Sequence, residues 1–120
     1  MIIRQEQFSA FEAEVRRRYW RELLDFYRET IPGAVALYND ETLLARLAAA
    51  DGRGRKWGIS LHDSMVQFIA LDLLMGEQFD TLPEVRRLLQ ASGMSTDMKV
   101  HVLTDMVQSN LRRESVGVRT

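Results

Sequence analysis

The chain has 120 residues, 46% of them hydrophobic and 28% charged, with 16 basic against 17 acidic side chains and a formal net charge of −1. That balance argues against a dedicated nucleic-acid binder, which needs an excess of phosphate-neutralising Lys and Arg. The absence of cysteine excludes disulfides and thiolate chemistry, and leaves any metal site to His and carboxylates.

The length suits one domain with a single modest core. The first residues, Met1-Ile2-Ile3-Arg4-Gln5-Glu6, turn polar at once and lack the apolar core of a signal peptide. No apolar run approaches bilayer length. The expectation is a soluble protein of the cytoplasm that makes no membrane contact.

In chain order, the first predicted helix covers Gln5 to Thr30. Phe8, Phe11, Val15, Tyr19, Leu23 and Phe26 fall on one face at three- and four-residue spacing, and Trp20, Leu24 and Tyr27 widen the stripe. Arg16-Arg17-Arg18 point about 100° apart and form no single basic surface. Pro32-Gly33 closes the helix, because proline disfavours helix in the residue before it.

Asn39-Asp40 reads as an N-cap, with Glu41 in the first turn where the helix dipole favours a carboxylate. Leu43, Leu44, Leu47 and Ala48 continue at helical spacing. In residues 51–56 two glycines each weaken a helix by roughly 1 kcal/mol, so a loop or a fraying end is expected around Gly52 and Gly54. Gly58 then supplies a left-handed stop, and Ile59 the apolar residue that packs back on the last turn.

Ser60 and Asp63 read as a capping-box-like pair opening a helix over residues 61–75 that stops at Gly76. That helix is apolar around most of its circumference, which marks it as central. Asp72 falls inside its apolar arc. A buried carboxylate needs a partner, and Arg16 falls in the apolar sector of the first helix, so an Arg16–Asp72 contact is expected. Thr81-Leu82-Pro83-Glu84 opens the next helix with Thr81 as cap, and Gly93-Met94-Ser95 repeats the glycine stop and serine cap. A last helix follows over residues 96–113, with a mobile tail over residues 114–120. The expected fold is all-α, one domain over residues 1–113 with about five helices around a central apolar one.

His62 and His101 are the only neutral-pH bases, and neither sits in a nucleophile–base or metal-ligand pattern. No catalytic, cofactor or metal residue is assigned. Met65, Met75, Met94, Met98 and Met106 are adaptable packing material, in a core or at a binding groove.

The order Trp57, Gly58, Ile59, Ser60, then Phe68, Ile69, Leu71, Gly76, Phe79 and Asp80 is similar to that of small bacterial helical proteins encoded beside type VI secretion spike, PAAR-tip and effector genes. The opening Arg4-Gln5-Glu6-Gln7-Phe8 also resembles theirs. Ser64, Asp72 and Glu77 depart from that pattern. The resemblance covers about two thirds of the chain and implies a non-enzymatic adaptor or co-chaperone for effector loading. Its partner would be an effector, its chaperone or a spike component, and a homo-oligomer is compatible with it. An immunity protein against a co-encoded toxin and a small helix–turn–helix regulator are the alternatives. Trp57, Phe79 and Asp80 are the expected partner-binding residues.

Overall fold

The computed structural model describes residues 5–117, with side chains at residue 7 and at 9–110. The fold is all-α. Among the described residues six helices and one 3-10 turn follow in order: α1 (Gln5–Thr30), α2 (Pro32–Val35), α3 (Asp40–Trp57), α4 (His62–Met75), the turn Phe79–Thr81, α5 (Pro83–Gln90) and α6 (Thr96–Gly117). The chain parts into two compact units, Met1–Ala48 and Ala49–Thr120, divided within α3.

In the first unit, α1 ends where expected, one residue before the residue that precedes Pro32, and Pro32 opens the one-turn α2. The buried apolar residues are Leu23, Leu24 and Tyr27 of α1, Val35, and Leu43 and Leu47 of α3. Burial pushes the Tyr27 phenol well above its ordinary pKa. Arg28 ties the end of α1 to the next connection, donating to the Tyr38 carbonyl at 2.9 Å and to Asp40 Oδ1 at 2.8 Å. Asn39 caps α3 as its sequence predicts, its Oδ1 accepting from the Thr42 N–H at 2.8 Å.

The wide apolar stripe expected on α1 divides in two. Leu23, Leu24 and Tyr27 are buried, whereas Phe11, Val15 and Phe26 are exposed. Phe8 lies outside the described side chains.

In the second unit, residues 51–57 are helical, so of the two expected forms, loop or fraying helix, the chain takes the helix and continues it to Trp57. A Cβ added at Gly54 would lie 2.8 Å from Met65 Sδ and 3.2 Å from Ile59 Cδ1. Gly54 therefore lets α3 approach α4 closely, and that packing offsets the weak helix propensity. The helix ends in a Schellman motif, with the Ile59 N–H donating to the Gly54 carbonyl at 3.1 Å and the Gly58 N–H to Arg55 at 3.0 Å. Gly58 has φ +97°, the left-handed value its position requires.

Helix α4 is central, as expected, and more deeply set than its pattern indicates. At about 100° per residue Ser64 and Leu71 fall on its narrow polar side with Asp63 and Gln67, yet they are buried with Met65, Phe68, Ile69, Asp72 and Leu73. Leu61 and Met75 fall on the apolar arc, yet they are exposed. One expected cap is also corrected. Leu82, not Thr81, occupies the N-cap position of α5, while the Thr81 hydroxyl donates to the Gln78 carbonyl at 2.7 Å. Ser95 does cap α6, its Oγ accepting from the Met98 N–H at 3.2 Å. Helix α6 continues to Gly117, past the tail boundary expected at residue 114, and residues 118–120 lie outside those described.

Candidate functional site

The residues carrying the family-like pattern converge around α4. At its C-terminal end, Gly76 takes φ +112° and Gln78 takes the left-handed conformation, turning the chain back into the 3-10 turn. Asp72, fully buried on the last turn of α4, accepts from the Gln78 N–H at 3.0 Å and from Arg53 Nη2. Asp80 is also buried. It accepts from Arg53 Nε at 3.0 Å and from Trp57 Nε1 at 2.9 Å through its two oxygens. Arg53 thus holds two carboxylates from the far side of the turn. Phe79 is buried in the same place, its ring 5.0 Å from that of Phe68.

This geometry corrects two expectations. The cation on Asp72 is Arg53, and Arg16 is exposed on α1. Arg53 was missed because it lay between two glycines, in a segment whose propensity argues against helix. Helix geometry there would have placed Arg53 and Trp57 four residues apart on one face, which was the available signal. Phe79 and Asp80, expected at a partner surface, are turned inward. Trp57 is half-buried and its polar edge is taken by Asp80.

The N-terminal end of α4 is held by a third buried carboxylate. Asp97, in the first turn of α6, accepts from the Leu61 N–H at 2.9 Å, from the Ser60 N–H at 3.2 Å and from the Ser60 hydroxyl at 3.0 Å. The expected role of Ser60 as N-cap is corrected: Leu61 has the cap position without a side-chain bond, and Asp97 supplies the acceptor from another helix. These donors, the Leu61 N–H first, hold the Asp97 carboxyl below its ordinary pKa against the opposing effect of burial. The Thr96 hydroxyl donates to the Trp57 carbonyl at 2.6 Å, closing the same junction.

Chemically, this is a clasp. An acid–base pair needs a carboxyl with access to a substrate proton, and the oxygens of Asp72, Asp80 and Asp97 are buried and engaged by protein donors. Among the described residues no group of three or more His, Asp or Glu side chains is gathered that could hold a metal ion. Nor is any described helix long and apolar enough to cross a membrane. No protein-family model matches the chain, and no curated protein or solved structure matches it.

Proposed function

We propose that the protein is a non-enzymatic interaction module acting in the cytoplasm as an adaptor or co-chaperone for loading a type VI secretion effector. The observation that carries this reading is an exposed methionine face on α6. Met98 and Met106 are exposed, half-buried Val102 lies between them at four-residue steps, and Met94 is exposed just before the helix. Such a face suits an apolar segment of an effector or of its chaperone, because thioether side chains adapt their shape to the segment they meet. The inward turn of Phe79 and Asp80 moves the binding surface away from the family-like pattern, whose residues serve the fold.

The helix–turn–helix reading fares worse. Its second helix would be α4, which is buried on most sides and carries no Lys or Arg to meet bases or phosphates. Purification of the tagged protein with each product of the adjacent genes tests the proposal. Retention of an effector, chaperone or spike protein, lost in a Met98→Asp, Met106→Asp double variant, is the expected result. No retained product, or protection against a co-encoded toxin without an effect on secretion, would overturn it.

A further inference from the structure

Helix α1 carries a second apolar stripe that the fold of its unit leaves open. At about 100° per residue, Phe11, Val15, Tyr19, Glu22 and Phe26 fall within about 40° of the Val15 direction. Buried Leu23, Tyr27 and Leu24 lie between about 80° and 180° round from it. Phe11, Val15 and Phe26 are 65%, 51% and 46% exposed, and Tyr19 is half-buried. Phe11 to Glu22 and Val15 to Phe26 are each eleven residues apart, a repeat that drifts by only about 20° and winds slowly in the right-handed sense. A stripe that winds so slowly can run along a second helix.

We infer that this stripe is the seam of a homodimer in which α1 packs antiparallel against α1 of a second copy. The charges choose both the partner and the direction. Between Phe11 and Phe26 the charged residue of the stripe is Glu22, Glu29 lies beyond Phe26 at about 40° from Val15, and Arg18 flanks Glu22 on the same side, about 60° from Val15. A parallel pair would set Glu22 against Glu22 at the seam. An antiparallel pair crossing near Trp20 sets Arg18 of each copy against Glu22 of the other, twice by symmetry. In that register Phe26 of each copy falls between Phe11 and Val15 of the other, and the two Tyr19 rings meet near the centre. Arg18 now bonds Glu14 at 3.3 Å on an exposed surface and is free to exchange that partner.

The size of the seam sets its strength. With roughly 150–250 Å² for a whole aromatic side chain, the exposed fractions of Phe11, Val15 and Phe26 leave on the order of 300 Å² of apolar surface per copy. Adding Tyr19 and the flanking polar groups reaches the low end of specific interfaces, about 1,200 Å² in total. Interfaces at that low end belong to weak, transient encounters, so the association is sought at micromolar concentrations.

Sedimentation equilibrium of the full chain, from about 2 to 200 µM to bracket an affinity of that order, tests the assembly. The expected result is a monomer–dimer equilibrium that a Phe11→Ser, Phe26→Ser double variant abolishes while keeping wild-type helicity by circular dichroism. Arg18→Glu alone and Glu22→Arg alone each weaken association about tenfold, and the two together restore it to within about twofold. A wild type that stays monomeric throughout would overturn the inference. So would a dimer indifferent to Phe11 and Phe26, or one that the combined charge exchange fails to restore.

Discussion

Helices α1 and α4 are both rich in large apolar residues, and the structure treats them in opposite ways. Helix α4 is buried on nearly every side, including positions such as Ser64 that its polar pattern assigns to water, and buried carboxylates anchor both of its ends. Helix α1 buries a short stripe near its C-terminal end, where Arg28 ties it to the following connection, and leaves Phe11, Val15 and Phe26 open. Apolar content alone therefore does not decide burial. What decides it is how many neighbouring elements close over a helix, and in α4 those neighbours are locked in place by charge.

The largest effects are expected where α4 is closed. Arg53→Met strips the fully buried Asp72 of its guanidinium and Asp80 of one donor, and should lower unfolding free energy by about 3–5 kcal/mol in urea titrations. Of similar size, Phe68→Ala opens a cavity against Phe79 and should cost about 3–5 kcal/mol, whereas Phe11→Ala on exposed α1 should change stability by no more than about 0.5 kcal/mol at concentrations that keep the chain monomeric. Equal losses at the two phenylalanines would erase the contrast between the helices.

Asp97 gives an intermediate effect with a pH signature. Its folded pKa is depressed below the ordinary 3.8. Its contribution is therefore complete above that value and is lost as pH falls through the lower folded value. Asp97→Asn should lose about 1–2 kcal/mol at pH 7, and the gap from wild type should narrow as urea midpoints are followed down to about pH 3. A gap unchanged across that range would show that the carboxylate is not what anchors α4.

The smallest effects separate the two glycines of α3. Nothing lies within 4 Å of a Cβ at Gly52, so Gly52→Ala should raise stability by about 0.5–1 kcal/mol in thermal unfolding. At Gly54 the same change pushes on Met65, and that gain should vanish.

Much of the local order was legible in the residues. Pro32, the Asn39 cap, Gly58, Gly76, Pro83 and the Ser95 cap each act on backbone within a few positions, so each reads from its own neighbourhood. The candidate site was legible only in part. The apolar arc marks Asp72 as a buried carboxylate in need of a partner, whereas the pattern that points to Trp57, Phe79 and Asp80 points to a surface that Phe79 and Asp80 do not reach. Their connections cross long stretches of chain: Arg53 to Asp80, Trp57 to Asp80 and Ser60 to Asp97. Periodicity carries no signal at such separations.

By itself, then, the sequence determined an all-α chain, the ends of most helices and the central place of α4, because propensity, capping and apolar spacing are local or periodic. Tertiary structure alone decided that residues 51–57 stay helical, since the close approach at Gly54 and the Arg53 contacts outweigh two unfavourable glycines. It also decided which cation meets Asp72, that Asp97 displaces Ser60 as the anchor of α4, and which of two apolar stripes on α1 is buried. Each of these is a choice among partners of equal chemistry, and only position in space distinguishes them.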